Sequence, residues 1–247
     1  MRIFIISLDR SSDRRLLMQD QLNPFGLPYE FFRAVDGHAG EHLSFLNYRD
    51  EFCVEAWHRP LTAGEVGCFA SHYQLWRQCV ERDEPIVVME DDVEVASRFP
   101  EALAIASRRP GGVGYIRLAA TTVFGYRSVN VPVPPGWDMV RFLKGPWGTQ
   151  CYVLFPDAAS RLLAKSKKWI LPVDNYMDSS WRHNLAAVGL MPLPVVNRRD
   201  SRSEISLGGP TPSTVMRGRV SRPKRYIARQ LSDLRRILKN VQYALSD

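Results

Sequence analysis

Residues 85–92 read Pro-Ile-Val-Val-Met-Glu-Asp-Asp, so five apolar residues run directly into three carboxylates, Glu90, Asp91 and Asp92. A short, β-branched apolar run is typical of a strand buried on both faces of a parallel sheet. The carboxylates would then lie at the carboxyl edge of that sheet, which is where open α/β folds bind their ligands. We therefore predict an α/β fold with a binding site at this edge.

A strand, a helix and a second strand open the chain. Residues 2–8 form another continuously apolar run, and residues 29–35 have a similar pattern. Between them Ser11 or Ser12 can cap a helix that ends before the Asn-Pro-Phe-Gly turn at residues 23–26. This order of elements is the start of an α/β fold with a mostly parallel central sheet.

A longer helix precedes the acidic stretch. Thr62 and Glu65 have the spacing of a capping box, in which each residue binds the backbone amide of the other, and this predicts a helix that runs to about Arg82. Further along, the patterns predict helices over residues 97–108, 157–168 and 174–188, strands over 113–118 and 149–155, and a proline-interrupted edge segment over 190–196.

The composition is that of a globular protein. Of the 247 residues 45% are hydrophobic and 24% are charged, which excludes the disordered, collagen-like and small disulfide-rich classes. No apolar run approaches the ~20 residues that a bilayer span needs, and the apolar start is too short for a signal peptide, so we expect a cytoplasmic protein. The four cysteines lack C-x-x-C spacing, so neither zinc nor disulfides are expected.

The positive charge is confined to the end of the chain. Nine basic and two acidic residues follow position 216, and they account for the whole net charge of +7. A neutral body argues against a nucleic-acid partner, whereas a basic end favours an anionic surface. We divide the chain into a body at residues 1–207, a Gly- and Pro-containing linker at 208–222 and a basic amphipathic helix at 223–247.

The terminal helix carries an apolar stripe with spacings of four and three residues, which places its members on one face. We expect this helix to bind an anionic membrane surface, because basic residues dominate its flanks. A coiled-coil homodimer and docking onto the body of the same chain are the alternatives. The stripe consists of Ile227, Leu231, Leu234, Leu238, Val241 and Leu245.

The acidic run is the strongest candidate for chemistry. Three adjacent carboxylates repel one another, and a hard divalent cation such as Mn²⁺ or Mg²⁺ that also binds diphosphate oxygens would explain their grouping. Glu90 and Asp92 are alternate residues, so in an extended chain they face the same side. The alternative is a solvated acidic turn before the helix predicted from residue 97.

Other candidate residues each have a structural alternative. His72 could contact a sugar or diphosphate, or it could be a core histidine beside Trp76, four residues later on the same helix face. Asp174 could be a general base or a helix N-cap. A Gly-rich turn at residues 145–149 could approach a ligand closely or simply join two strands. Four arginines near the first strand could bind phosphate or lie exposed: Arg10, Arg14, Arg15 and Arg33.

Several of these motifs, in this order, resemble glycosyltransferase family 25, which includes bacterial lipopolysaccharide and lipooligosaccharide glycosyltransferases related to collagen galactosyltransferases. The resemblance covers about residues 1–200, and its most specific part is the pair formed by the Thr-x-Gly-Glu-x-Gly-Cys motif at 62–68 and the Glu-Asp-Asp run. The other matching segments are Ser7-Leu8-Asp9-Arg10 with Asp13-Arg14, residues 33–37, Ser71-His72 with Trp76, Gly148-Thr149-Gln150-Cys151-Tyr152 and Pro172-Val173-Asp174.

The resemblance implies a GT-A fold, a nucleotide-sugar donor such as UDP-galactose, Mn²⁺ or Mg²⁺, and inversion at the anomeric carbon. Asp92 would be a direct metal ligand, Glu90 a ribose or donor contact and a second metal ligand, and Asp91 a supporting carboxylate. Asp174 would be the first candidate for the general base and Asp178 the second. The remaining implied donor-binding residues are Ser7, Leu8, Arg10, Arg14, Asp36, Gly37, Glu65, His72, Gly148, Thr149 and Gln150.

The expected function is therefore hexose transfer, with galactose as the first choice, from a UDP-sugar to a saccharide or glycolipid acceptor of lipopolysaccharide or lipooligosaccharide. The expected place is the cytoplasmic face of the inner membrane. An inactive relative that only binds carbohydrate or acts in adhesion is the alternative. A nucleotidyltransferase is disfavoured because no Gly-rich, Lys-containing phosphate loop follows the first strand.

Overall fold

The computed structural model describes residues 1–51, 53, 59–198 and 222–246. Its strands are β1 (Arg2–Ser7), β2 (Tyr29–Arg33), β3 (Ile86–Glu90), β4 (Val93–Val95), β5 (Tyr115–Arg117), β6 (Tyr126–Ser128), β7 (Asp138–Phe142), β8 (Cys151–Leu154), β9 (Val188–Met191) and β10 (Val195–Asn197). Its α-helices are α1 (Ser12–Leu22), α2 (Ala63–Arg82), α3 (Phe99–Ser107), α4 (Pro156–Lys165), α5 (Val173–Met177), α6 (Ser180–His183) and α7 (Arg222–Ser246).

Eight strands form one central sheet in the order β2-β1-β3-β8-β5-β9-β7-β6. The pairings give six strands one direction, and β8 and β7 run the opposite way. The short strands β4 and β10 pair with each other in a separate antiparallel ribbon. The predicted α/β class, with a mostly parallel central sheet and a helix at the end of the chain, is confirmed.

The first strand shows why continuous apolar runs predict buried strands. Ile3 and Ile5 belong to the core on one side of the sheet, which includes Met18 of α1. Phe4, between them, belongs to the core on the other side, which includes Trp76 of α2. Because successive side chains point to opposite faces and both faces are covered by helices, the central positions of the strand, residues 3–6, are all apolar.

The capping box at the start of α2 forms as predicted. The Glu65 amide donates to Thr62 Oγ1 at 3.1 Å, and the Thr62 amide donates to Glu65 Oε2 at 2.8 Å. The helix ends at Arg82, and Asp83 caps it in the left-handed conformation with φ 51°. The predicted extent of this helix is confirmed.

The helix predicted over residues 174–188 is wrong. That segment contains two short helices, α5 and α6, and Val188 already begins β9. The second helix ends at Asn184, which adopts the left-handed conformation with φ 58°. Asparagine tolerates this conformation better than most residues do, so the helix stops there although the apolar pattern continues.

The proline-interrupted edge segment predicted over residues 190–196 is also wrong. Strand β9 lies inside the sheet between β5 and β7, and β10 belongs to the separate ribbon. Pro192 and Pro194 lie between the two strands, where no ladder hydrogen bond is needed from them. The prolines therefore separate two strands instead of marking an edge.

The terminal helix α7 contacts the body of the chain. Its Asn240 side chain donates to the Leu143 carbonyl at 2.7 Å, and its Tyr243 ring lies 5.2 Å from the Arg141 guanidinium. The predicted linker lies outside the described residues except for Arg222, at which α7 begins. Among the helices described, none is long and apolar enough to cross a membrane.

Candidate functional site

Two adjoining cavities open at the carboxyl edge of the sheet. The first, of about 710 Å³, lies beside the ends of β1 and β3, and we call it the edge pocket. The second, of about 690 Å³, lies beside the loop before β8 and the start of α5, and we call it the loop pocket. Cys68 and Glu90 line both, so the two pockets meet at these side chains.

Nearly all of the site residues predicted from the sequence line one of the pockets. The edge pocket contains Ser7, Leu8, Arg14, Asp36, Gly37, His72, Glu90, Asp91 and Asp92. The loop pocket contains Glu65, Glu90, Gly148, Thr149, Gln150 and Asp174. Two predicted residues lie apart: Arg10 pairs with Asp36 at the rim, and Asp178 lies outside both pockets.

Two glycines bring the wall of the edge pocket together. A Cβ atom at Gly67 of α2 would lie 2.6 Å from the Val35 carbonyl oxygen and 2.8 Å from the Gly37 nitrogen. A side chain at Gly37 would in turn collide with the Ala63 backbone. The chain after β2 therefore packs directly on α2, backbone against backbone, which only glycine permits.

A buried hydrogen-bond network supports Glu90 from below. The Tyr152 hydroxyl accepts from Trp76 Nε1 at 2.9 Å and lies 2.9 Å from His72 Nδ1. When the phenol donates its single proton to Nδ1, the proton of His72 resides on Nε2, which is 3.5 Å from Glu90 Oε1. His72 is thus both a fully buried residue and a neighbour of the acidic run.

The three carboxylates of the acidic run have different surroundings. Burial favours the neutral form of Glu90, but His72, Thr149 and Arg117 outweigh it and lower its pKa. The Thr149 hydroxyl donates to Glu90 at 2.8 Å, and Arg14 pairs with Asp91 at 3.1 Å. Burial and the neighbouring charge of Glu90 raise the pKa of Asp92 to about 7, although Arg14 opposes them. The protein therefore compensates the ionised form of Asp92 poorly.

These residues fit a hard divalent cation. Carboxylate oxygens at the mouth of a cleft are the ligands that Mn²⁺ and Mg²⁺ prefer, and a cation would offset the excess charge at Asp92. Cys68, His72 and Glu90 also place ligand atoms within 4.8 Å of one another. Burial raises the pKa of the Cys68 thiol well above its usual value, so sulfur is protonated there and the oxygen atoms are the better ligands.

Asp174 lies at the first turn of α5 and faces the loop pocket. Its Oδ1 accepts from the Asn175 amide at 2.7 Å, and its Oδ2 accepts a long hydrogen bond of 3.4 Å from the Gly148 amide. Asp174 is the second residue of α5, whose N-cap is Pro172 and which has no side-chain cap hydrogen bond, so the N-cap interpretation of Asp174 is wrong. The contact with the Asn175 amide satisfies one donor of the first turn, while the long contact leaves Oδ2 only weakly held. The role of Asp174 as a general base stays a prediction.

Asp178 has a different environment. It pairs with the fully buried Arg117 at 2.8 Å and accepts from the Trp147 amide at 3.1 Å. It lines a small cavity beside α7 and neither pocket of the cleft. Burial raises the pKa of Asp178 to about 6, against the opposing effect of Arg117. Its contacts hold the loop before β8, and that loop lines the loop pocket.

The arginines near β1 bind protein carboxylates or Ser7. Arg33 contacts Asp9 at 2.7 Å and also Glu41, and Arg15 donates to Ser7 Oγ at 3.2 Å. Arg14 is the member of the group that lines the edge pocket. A role in phosphate binding is therefore best placed at Arg14, which already lies beside the acidic run.

Three residues that organise the site were not among the predicted site residues. Arg117 is the last residue of the buried strand β5. A charged residue at the carboxyl end of an apolar run is the sequence feature that could have identified it. Tyr152 lay inside a predicted strand, where nothing in the pattern distinguishes it from a core aromatic residue. Cys68 belongs to the motif at residues 62–68, but only the tertiary structure shows that it lies between the two pockets.

Comparison with known proteins identifies the family of the chain. Residues 1–177 match the profile of a family described as Glycosyltransferase family 25 (LPS biosynthesis protein). Procollagen galactosyltransferase 2 of Homo sapiens is 39% identical over 191 residues, which cover 71% of this chain and 29% of that protein. Lipooligosaccharide biosynthesis protein lic2B of Haemophilus influenzae is 35% identical over 102 residues, which cover 41% of this chain and 37% of that protein.

A solved structure, titled as a glycosyltransferase involved in the glycosylation of the major capsid of PBCV-1, superimposes with a TM-score of 0.44 and 10% identity. The alignment covers 83% of this chain and 96% of that one. The chain spans about a third of the length of the curated relatives it matches. Because the family profile matches well over half of its residues, the chain belongs to glycosyltransferase family 25.

Proposed function

We propose that the protein transfers a hexose, with galactose as the first choice, from a UDP-sugar to a saccharide or glycolipid acceptor, with inversion at the anomeric carbon. The observation that carries the proposal is the meeting of two pockets at Glu90, one lined by the acidic run and the other by Asp174. A transferase needs two adjoining pockets, since donor and acceptor must bind side by side with their reacting atoms close together.

In this proposal the edge pocket binds the nucleotide diphosphate part of the donor. Asp92 and Glu90 would hold Mn²⁺ or Mg²⁺, and Arg14 would add positive charge on the same side. The cation, when bound, neutralises the charge that develops on the diphosphate leaving group. His72 and Thr149 keep Glu90 ionised and fixed in position, which supports its role as a ligand.

The loop pocket would bind the acceptor. Inversion requires a base on the face of the sugar opposite the leaving group. Asp174 would take the proton of the acceptor hydroxyl. The hydroxyl oxygen would at the same time bond to the anomeric carbon of the donor sugar, and the bond between that carbon and the diphosphate would break. Asp178 remains the second candidate for the base, but its contacts with Arg117 and the Trp147 amide favour a positioning role.

The names of the relatives support the choice of sugar and acceptor. One is a procollagen galactosyltransferase, and another is a lipooligosaccharide biosynthesis protein. A neutral body with a basic terminal helix suits a bacterial glycolipid acceptor at an anionic membrane. The proposed function therefore includes a peripheral position on the cytoplasmic face of the inner membrane.

The test is donor hydrolysis in a panel of nucleotide sugars, with and without Mn²⁺. We expect the wild-type chain to release UDP from UDP-galactose slowly, with water as the acceptor, in a metal-dependent reaction. Asp174→Asn should still bind the donor but release less UDP. A wild-type chain that hydrolyses no nucleotide sugar, with metal present, would contradict the proposal and favour an inactive carbohydrate-binding relative.

A further inference from the structure

The terminal helix α7 uses its polar side to bind the body. Asn240 donates to the Leu143 carbonyl, and Tyr243 packs beside Arg141. Arg236 and Asn240 line the small cavity between this helix and the body together with Asp178. The contact surface of α7 is therefore made by polar and aromatic side chains.

The opposite side of α7 is apolar and exposed. Its members, which we call the α7 stripe, are between 47% and 61% exposed. With about 100° of rotation per residue, they fall within an arc of about 120° that lies across the helix from Tyr243. Docking on the body is therefore compatible with a second contact through this face. The α7 stripe consists of Leu231, Leu234, Ile237, Leu238 and Val241.

The charge of α7 indicates what can cover the stripe. Residues 222–246 contain seven basic residues and one acidic residue, Asp233, which already pairs with Arg236. Arg235 lies beside the stripe and is exposed. A second copy of this helix would bring the same positive charge to the interface, whereas an anionic bilayer offers an apolar interior below a negative surface.

We infer that α7 binds in the interface of an anionic membrane, with the α7 stripe toward the acyl chains and the body of the protein on the solvent side. Membrane binding by α7 does not depend on which donor or metal the protein binds. One consequence does rest on the proposed function: Asn240 holds Leu143, close in sequence to the loop at residues 145–149, so the acceptor pocket would lie near the membrane surface.

The test is flotation of the full chain with vesicles of phosphatidylcholine containing a quarter phosphatidylglycerol, compared with pure phosphatidylcholine. We expect wild type to float with the anionic vesicles at low salt, and high salt to weaken binding. The double variant Leu234→Glu/Leu238→Glu should bind at least about tenfold more weakly. Arg235→Gln should bind about fivefold more weakly, as expected for one basic residue near the surface.

The matched control is Leu43→Glu/Leu46→Glu. These leucines are 76% and 80% exposed on the body, so the control adds the same charge at apolar positions that are even more exposed and lie away from α7. It should float like wild type. Equal loss of binding in both double variants, or no binding by wild type, would overturn the inference. So would a stripe variant that converts a dimer to a monomer while wild type shows no affinity for vesicles.

Discussion

The carboxylate of Asp178 accepts a hydrogen bond of 3.1 Å from the backbone amide of Trp147. Trp147 adopts a left-handed conformation with φ 52°, which is uncommon for a bulky residue and is held here by its surroundings. The same carboxylate pairs with Arg117, and Asp174 binds the next amide along the loop, that of Gly148. Two aspartates on neighbouring turns of the chain thus hold successive amides of the loop that lines the loop pocket.

Asp178→Asn should destabilise the fold by about 3 kcal/mol, because it leaves the charge of Arg117 buried without its partner. Urea unfolding measures the change. Asp157→Asn is the control, since the pair of Asp157 with Arg109 is partly exposed and should contribute about 1 kcal/mol or less. A variant that keeps its stability but loses its rate would instead make Asp178 the base.

Asp174→Asn should lower kcat by about 10²- to 10⁴-fold, the usual contribution of a general base. The single amide oxygen can still accept from the Asn175 amide, and only the long contact with the Gly148 amide is lost, so the Tm should change little. Donor binding, followed by thermal shift with UDP-galactose, should be retained. If the variant instead melts at a lower temperature and keeps its rate, Asp174 only stabilises the first turn of α5.

Asp92→Asn should have opposite effects in the absence and presence of metal. Without metal it removes a partly buried charge beside two other carboxylates, so the Tm should rise, on the order of 2–4 °C for about 1 kcal/mol. With Mn²⁺ and UDP at about 100 times their dissociation constants, wild type should gain roughly 2.7 kcal/mol and the variant far less. An equal gain in both proteins would show that Asp92 does not hold the metal.

The free energy of unfolding should decrease as the pH is lowered, because of His183. Its Nδ1 accepts from the Leu185 amide and its Nε2 faces the Tyr176 and Met177 carbonyls, so the buried ring fits only the neutral form. Burial lowers its pKa to about 4 from 6.5. The unfolded chain therefore binds the proton first as pH falls. This stabilisation is complete above about pH 6.5 and is lost progressively towards pH 4.

Urea unfolding at pH 7 and pH 5 checks the prediction. The contribution of His183 should fall by about 2 kcal/mol between these values. His183→Gln should be less stable at pH 7 but should depend less on pH over this range. Identical slopes in wild type and His183→Gln would contradict the role of His183.

Local patterns determined the outline of the fold. The apolar runs at residues 2–8 and 85–89 predicted central strands, because a strand covered on both faces tolerates no polar position. The capping box at Thr62 predicted the start of α2, because its hydrogen bonds are made within four residues. The same reasoning failed for residues 174–188, where a left-handed Asn184 and the packing of β9 inside the sheet override the helical pattern.

The sequence by itself determined the α/β class, the acidic run at the sheet edge and the amphipathic character of α7, since each depends on spacing between neighbours in the chain. Only the tertiary structure decided that Asp178 pairs with Arg117, that Tyr152 lies under His72, and which side of α7 faces the body. These contacts join residues between 61 and 97 positions apart. Their partners are chosen by the order of strands in the sheet, which no local periodicity encodes.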